Sequence, residues 1–153
     1  MDNSLSLKKM GHIYRRFMEL LAESAGRVRS VSVFANMLNI TPKYLSKCVR
    51  DKSGRTPLDL IHETTAATIR QQLRYSNKTV KEICNDLDFP NLSFFGKFVK
   101  EHLGMFPTQY RQQNLKIGNR NLKPETWNKK DAGITGLYLF DMLNEYQCFT
   151  SHP

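Results

Sequence analysis

Cysteine is scarce in this 153-residue sequence, and Cys48, Cys84 and Cys148 lie far apart along the chain. Three widely spaced cysteines give neither a disulfide framework nor the ligand spacing of a zinc site. The four histidines likewise fall at no spacing that is typical of metal ligands. We therefore expect a reduced, cytoplasmic protein without a metal site, and we interpret Cys84 as a small buried residue.

Long apolar runs and catalytic motifs are also missing. No stretch reaches the length of a transmembrane helix, and the N-terminal MDNSLSLKKM lacks the apolar core of a signal peptide. The sequence contains no glycine-rich phosphate loop, no nucleophile arrangement and no paired carboxylates. These absences argue against a membrane-spanning protein and against an enzyme, and no cofactor is expected.

Positive charge, in contrast, is plentiful and unevenly distributed. The formal net charge is +9, and residues 27–113 hold 14 basic against 7 acidic side chains, a net +7 that leaves +2 elsewhere. The length suits a single domain with a modest core. Excess positive charge on the part expected to fold favours a polyanionic partner, with an anionic membrane surface as the competing interpretation.

The sequence contains an internal repeat at a constant offset of 50 residues. The segment Thr41–Pro57 (TPKYLSKCVRDKSGRTP) matches Asn91–Pro107 (NLSFFGKFVKEHLGMFP). The aligned pairs include Tyr44/Phe94, Leu45/Phe95, Lys47/Lys97, Val49/Val99, Arg50/Lys100, Gly54/Gly104 and Pro57/Pro107. Segments just upstream match at an offset of 49. A segment that occurs twice indicates a duplicated supersecondary unit rather than a long repeat array.

Each copy has the pattern of a helix-turn-helix unit. A short apolar-periodic helix ends at a turn, and a capping residue, Thr41 or Asn91, then starts a longer helix. The longer helix ends at a glycine with a proline three residues later, which is a typical C-terminal stop signal. Helix, short turn and helix in both copies predict two helix-turn-helix units.

The remaining periodicity predicts an all-α fold of about seven helices, with a long linker helix between the two units. The expected helices are His12–Glu23, Ser30 or Ser32 to Asn39, Thr41–Ser53, Pro57–Tyr75, Val80–Leu87, Asn91–Leu103 and a short one from Pro107. Residues 1–29 form an N-terminal segment with one amphipathic helix after ten loose residues. The first unit spans 30–55, the linker helix 56–75, the second unit 79–104 and the last helix 107–113.

The linker helix has a predicted length that matters for its role. A helix of 18–20 residues is about 30 Å long, close to the ~34 Å repeat of B-DNA. Two helices held apart by such a rod would meet successive major grooves.

One stripe of the linker helix is predicted to be buried, and it consists of Leu58, Ile61, Thr65, Ile69 and Leu73. After it, Thr79 and Glu82 have the spacing of a capping box.

Helical-wheel positions divide each longer helix into a buried side and an outward face. Buried positions are Leu45, Cys48 and Val49 in the first copy, and Leu92, Phe95, Phe98 and Val99 in the second. Outward positions are Lys43, Ser46, Lys47 and Arg50, matched by Ser93, Gly96, Lys97 and Lys100. One such face is typical of any surface helix. Two faces with only basic or small polar side chains favour nucleic acid, because cations meet phosphates and guanine edges.

These motifs resemble the C-terminal DNA-binding domain of AraC/XylS-type bacterial transcription regulators. The resemblance covers residues 30–113 and rests on SVFANMLNITPKYLSKCVRDKSGRTP and VKEICNDLDFPNLSFFGKFVKEHLGMFPTQYR. The second segment ends in the G-x-x-P-x-x-Y-R pattern of that family, as Gly104, Pro107, Tyr110 and Arg111, in a form similar to Bacteroidetes members. The resemblance implies activation or repression at double-stranded promoter DNA, with RNA polymerase as a further candidate partner.

The resemblance also implies which residues meet the DNA. Base contacts fall on Lys43, Ser46 and Lys47 in the first unit and on Asn91, Leu92, Ser93 and Lys97 in the second. Phosphate contacts are assigned to Thr41, Tyr44, Arg50, Phe94, Gly96 and Lys100, at the N-termini and along the outward faces. Tyr44 and Phe94 flank the outward faces and are also candidates for contact with a thymine methyl group.

The sequence departs from the family pattern in three respects. Asp88 replaces a glycine that is common in the second turn, which predicts a strained or different turn. Val49 and Val99 replace phenylalanine at core positions, and Phe95 and Phe98 are the neighbours expected to fill the lost volume. The N-terminal sensor domain of many members has no counterpart before the first helix, which leaves two alternatives: a regulator that works without a sensor, or a remnant of a longer regulator.

Three alternatives stay open. Arg27 and Arg29 suit phosphate contacts and solvated loop charges equally well. In the C-terminal extension, 114–153, residues 114–130 read as a linker and the apolar residues 134–149 suit either a docking or dimerisation helix or a loosely packed extension, which we favour. For the whole chain, the alternative function is a helical protein-interaction module with weak nonspecific DNA binding, whose partner is RNA polymerase or a sensor subunit.

Overall fold

The computed structural model describes residues 2–118, with side chains for residues 3–115, and this part of the chain is entirely helical. Its seven helices are α1 (Asp2–Ser24), α2 (Val31–Met37), α3 (Pro42–Ser53), α4 (Pro57–Tyr75), α5 (Val80–Asp86), α6 (Leu92–Leu103) and α7 (Pro107–Gly118). The predicted all-α fold is therefore confirmed. None of these seven helices has both the length and the apolar character needed to cross a membrane.

The two ends of the described chain differ from the sequence-based expectation. The first ten residues were expected to be loose, but α1 begins at Asp2 and runs without a break. Its first turns expose Leu5 and Leu7, and burial begins at Met10. At the other end, α7 continues to Gly118, past the predicted limit of 113. The apolar segment 134–149 lies outside the described residues.

Residue contacts group the chain into two units, and α4 contributes to both. The first unit comprises Met1–Thr68 together with Asp86–Asp88, and the second comprises Ile69–Asn85 together with the chain from Phe89 onward. Each unit contains one of the longer helices of the repeat, α3 in the first and α6 in the second. The two copies of the longer helix therefore lie in different packing units.

The first unit packs α1 and α2 against α3. Phe17 and Phe34 meet edge to face with ring centroids 5.3 Å apart, and both are fully buried. The Oγ1 of the buried Thr65 donates to the Ile61 carbonyl at 2.8 Å, which satisfies its polar atom inside the core. A Cβ on Gly26 would lie 3.0 Å from the Thr65 Cα, so only glycine fits the close approach of this loop to α4.

The second unit is built around an aromatic cluster. The Phe89 ring lies 5.1 Å from that of Phe95 and 5.4 Å from that of Phe98, in edge-to-face arrangements. Val99 is fully buried, so the smaller side chain still occupies a core position. Cys84 is buried, as predicted.

Two apolar residues that were expected to be buried are exposed. Leu58 is 43% exposed and Leu92 is 48% exposed, whereas Ile61, Ile69 and Leu73 are buried as predicted. Leu58 and Leu92 both lie in the first turn of their helices. The helical wheel placed Leu92 on the apolar side of α6, and that assignment was wrong.

Side-chain caps fix the start of α4 and of α5. The Thr56 N–H donates to Asp59 Oδ2 at 3.2 Å, and the Asp59 N–H donates to Thr56 Oγ1 at 3.1 Å. Thr79 and Glu82 exchange the same pair of hydrogen bonds, at 2.6 and 3.2 Å. The predicted capping box at Thr79 is thus confirmed. The hydrogen bond from Thr56 lowers the pKa of the Asp59 carboxyl below its ordinary value.

Candidate nucleic-acid interface

The N-terminus of α3 is fixed by a side-chain cap and its C-terminus by a glycine. Thr41 is in an extended conformation, and its Oγ1 accepts a hydrogen bond from the Tyr44 N–H at 3.1 Å. Gly54 adopts the left-handed conformation with φ of 72°, and its N–H donates to the Arg50 carbonyl at 2.8 Å. Local sequence therefore determines where this helix begins and ends.

The second copy reproduces this arrangement with a different capping residue. Asn91 is extended, and its Oδ1 accepts from the Phe94 N–H at 3.0 Å. Gly104 is left-handed with φ of 82°, and its N–H donates to the Lys100 carbonyl at 3.0 Å. The two helices have the same length of 12 residues, as the repeat predicts.

The turns before α3 and α6 also match. Asn39 and Asp88 occupy equivalent positions, and both are left-handed, with φ of 54° and 53°. Asparagine and aspartate tolerate this region better than other residues with a side chain. Asp88 therefore adopts the left-handed conformation that glycine would favour, as Asn39 does in the first copy, and of the two predicted alternatives the strained turn is the one that fits.

Arg29 serves a purpose that the sequence did not indicate. Its Nη1 donates to the Leu87 carbonyl at 2.5 Å and its Nη2 to the Asp88 carbonyl at 2.6 Å, within the first unit. Nη1 also lies 3.2 Å from the Gly26 carbonyl. The side chain thus holds the turn segment Asp86–Asp88, while Arg27 is exposed. In this structure Arg29 therefore fits neither of the two expected roles, a phosphate contact or a solvated loop charge.

The outward face of α3 is exposed and cationic. Lys43, Lys47 and Arg50 are exposed, whereas Ser46 and Tyr44 are half-buried. Beneath them, Leu45, Cys48 and Val49 are fully buried, as the helical wheel predicted. Partial desolvation, followed by the neighbouring Cys48 thiol, raises the pKa of the Tyr44 phenol.

The outward face of α6 is more apolar. The candidate residues exposed here are Asn91, Leu92, Ser93, Phe94, Lys97 and Lys100, and Gly96 is half-buried. Phe94 is 59% exposed. The Lys100 Nζ lies 4.8 Å from the ring centroid of Phe106, a cation–π contact that holds this ammonium group near α6. The structure therefore brings all of the sequence-predicted residues of the second unit to its surface, except that Gly96 is partly covered.

A shallow recess beside Gly96 was missed by the sequence-based reasoning. It has a volume of about 520 Å³, and its wall includes Leu92, Gly96, Phe106 and Pro107. Phe106 is 45% exposed although it is aromatic. It lies outside α6, so the helical wheel of that helix could not include it. The sequence feature that could have indicated this recess is Gly96, a glycine inside an otherwise regular helix.

The described residues offer no obvious place for a metal ion. No group of three or more histidine, cysteine, aspartate or glutamate side chains in residues 2–118 has the proximity to hold one. Cys48 is fully buried, and burial raises the pKa of its thiol. Cys48 therefore occupies a position in the core.

The fold and the paired helix-turn-helix units define an all-α protein of the helix-turn-helix class. Residues 34–113, which are 80 of the 153 residues, match the helix-turn-helix domain family of the AraC type. The chain therefore belongs to this family, whose members are DNA-binding transcription regulators. No curated protein sequence matches the chain.

Two solved structures are similar to the chain in fold. One is the C-terminal domain of AraT, a response regulator from Geobacillus stearothermophilus, with a TM-score of 0.61 and 20% identity over 76% of this chain and 92% of that one. The other is a DNA-binding transcriptional dual regulator from Escherichia coli K-12, with a TM-score of 0.57 and 17% identity over 68% of this chain and 93% of that one. At these identities the similarity shows the fold alone.

Proposed function

We propose that the chain is a sequence-specific double-stranded DNA-binding transcription regulator that inserts α3 and α6 into successive major grooves of a promoter. The observation that carries this proposal is the repeated outward face: two capped helices of equal length expose basic side chains at matching positions. Chance would not repeat the cap, the lysine and the terminal glycine at one offset. We call α3 and α6 the recognition helices from here on.

The proposed contacts follow from side-chain chemistry. Lys43 and Lys47 on α3, and Lys97 on α6, are exposed ammonium groups that suit the O6 and N7 acceptors of guanine. Arg50 and Lys100 lie farther along each helix and are assigned to phosphates. The N-terminus of each recognition helix adds the positive end of the helix dipole, which favours a phosphate.

The linker helix α4 supports the two-groove part of the proposal. It has 19 residues, which corresponds to a length of about 28 Å. A helix of this length suits two recognition helices that engage neighbouring grooves separated by ~34 Å along the duplex. A single chain would then bind two half-sites, as a helix-turn-helix dimer does.

The experiment that tests the proposal is a selection of bound duplexes from a random library, followed by a hydroxyl-radical footprint. We expect a consensus sequence and two protected regions about one helical turn apart. Lys47→Ala and Lys97→Ala should each lower affinity for the selected duplex by about 5- to 150-fold, the range for one base contact. Lys9→Ala, an exposed lysine on α1, is the matched control and should have little effect.

The alternative function is a protein-interaction module, and the exposed Leu92, Phe94 and Phe106 are the observation that favours it. It predicts that selected and scrambled duplexes bind equally and that the lysine variants weaken both to the same extent. The salt dependence of affinity would then report nonspecific phosphate contacts alone. Equal affinity for selected and scrambled duplexes would refute the proposed sequence specificity.

A further inference from the structure

One side of α6 has exposed apolar side chains next to Gly96, which as a glycine has no side chain. Leu92 and Gly96 are four residues apart and therefore lie on the same side of the helix. Phe106, from the segment after α6, faces them across the recess. Leu92 is 48% exposed and Phe106 is 45% exposed, so two large apolar side chains border an open space beside the outward face.

Gly96 leaves the wall of the recess without a side chain, next to the Phe106 ring. A Cβ built on Gly96 would lie 3.8 Å from the Phe106 Cδ1, an ordinary van der Waals distance. Because Gly96 has no side chain, a methyl group from another molecule can approach the helix backbone here at van der Waals distance and contact Leu92 and Phe106 at the wall of the recess. We call the surface of Leu92, Gly96 and Phe106 the methyl recess.

The first unit has no equivalent of the methyl recess. At the matching offset of 50 residues, Pro42 replaces Leu92, Ser46 replaces Gly96 and Thr56 replaces Phe106. The Ser46 side chain occupies the position that glycine leaves open, and the threonine lacks an aromatic ring. The two recognition helices therefore differ in the type of chemical group that each can contact at this position.

Charge indicates what kind of molecule brings the methyl group. The Lys100 Nζ lies 4.8 Å from the Phe106 ring centroid, and the exposed Lys97 also borders the recess. An apolar site rimmed by two cations favours a polyanion that carries an isolated methyl group. The major groove of DNA offers one such group, the C5 methyl of thymine.

We propose that the methyl recess binds the C5 methyl group of a thymine, so that α6 reads thymine by apolar contact while α3 reads its bases through polar and cationic side chains. This inference rests on the proposed function, because it requires that α6 enters the major groove. It names a base preference for one half of the binding site. It also assigns Gly96 and Phe106 to base selection, in addition to the phosphate contact first considered for Gly96.

The test replaces each thymine of the selected duplex, one at a time, by deoxyuridine. This change removes the methyl group and leaves every hydrogen-bonding group in place. We expect one or two positions at which the dissociation constant of the wild-type protein rises about 4-fold, the factor expected for burial of one methyl group. At those positions Leu92→Ala should bind the thymine and deoxyuridine duplexes equally.

Two further variants make the test specific. Gly96→Ala adds a methyl group to the wall of the recess, beside the Phe106 ring, so it should reduce the discrimination, while alanine raises the thermal stability of the helix. Leu58→Ala removes an equally exposed leucine on α4 and should keep the 4-fold discrimination. Circular dichroism melts would show that the variants with lost discrimination are folded.

The outcomes separate this inference from the proposed function. If no consensus sequence emerges, both the proposed function and this inference fail. If a consensus emerges but deoxyuridine is neutral at every position, only the methyl recess is refuted. Retention of methyl discrimination by Leu92→Ala would also refute it. A Leu92→Ala protein that binds every duplex as the wild type does would leave the recess as a surface for a protein partner.

Discussion

The two recognition helices share their ends and differ in their surfaces. Each has 12 residues, an oxygen-bearing cap at its N-terminus and a left-handed glycine at its C-terminus. On the outward face, α3 exposes Lys43 where α6 has Ser93, and α6 adds the exposed Leu92 and Phe94. The duplicated backbone therefore preserved the positions from which side chains project, while their chemistry diverged. A regulator that reads two unlike half-sites would need this combination.

The cores beneath the recognition helices provide the strongest way to test whether the two units are equally important for stability. Leu45 and Phe95 are equivalent and both fully buried. We expect Leu45→Ala to lower the free energy of unfolding by about 2–5 kcal/mol and Phe95→Ala by about 3–5 kcal/mol. Urea unfolding followed by circular dichroism measures both.

Leu58→Ala, at an exposed position, serves as the control for this pair and should change stability by less than about 0.5 kcal/mol. If Leu45→Ala and Phe95→Ala behaved like this control, the described cores would be wrong.

Arg29 is matched by Lys78 at the upstream offset of 49 residues, and its removal gives the next largest effect. Removal of its guanidinium leaves the carbonyls of Leu87 and Asp88 without their charged donor. We expect Arg29→Ala to lower the free energy of unfolding by about 2 kcal/mol. Arg29→Lys should recover only part of this, because lysine lacks the planar fork that meets two carbonyls.

The matched control for Arg29 is Arg27→Ala, since Arg27 is exposed. That variant should unfold like the wild type. A normal stability of Arg29→Ala combined with weaker DNA binding would instead support a phosphate contact.

The caps test whether different residues at the same position stabilise the two helices equally. Thr41→Ala and Asn91→Ala each remove one side-chain acceptor, and each should cost about 1 kcal/mol in thermal or urea unfolding. Ser30 precedes α2 but its side chain makes no cap hydrogen bond. Ser30→Ala should therefore be nearly neutral, and a cost equal to that of the other two would contradict the observed caps.

The smallest effect concerns pH and the cap of α4. Because Thr56 lowers the pKa of Asp59 in the folded state, the ionised carboxylate stabilises the fold above the unfolded-state pKa. This contribution should disappear as the pH falls through the lowered folded-state pKa, in the acidic range below the ordinary value of 3.8. The group is exposed, so solvent screening limits the effect to less than about 0.5 kcal/mol.

Thr56→Ala removes the largest cause of the shift and should return the Asp59 pKa toward its ordinary value. NMR titration of the carboxyl carbon would measure both proteins. An unchanged Asp59 pKa in Thr56→Ala would show that another group causes the shift.

The helix ends inside the repeat were predictable because their signals are local. Thr41, Asn91 and Pro57 begin helices at the predicted places, and Gly54 and Gly104 follow the last residues of α3 and α6. Each signal acts through hydrogen bonds or backbone conformation within about four residues, so the sequence around it is sufficient. The start of α1 was missed because its first turns have neither a strong cap nor an apolar stripe.

The amino-acid sequence alone thus determined the all-α class, the duplicated unit, the caps and the cationic outward faces. Tertiary structure decided the partners of Arg29, which lie 58 and 59 residues away, the exposure of Leu92, and the position of Phe106 opposite Gly96. The physical reason is the distance along the chain over which each interaction acts. A cap is complete within one helical turn, whereas the burial of a side chain depends on which distant elements pack around it.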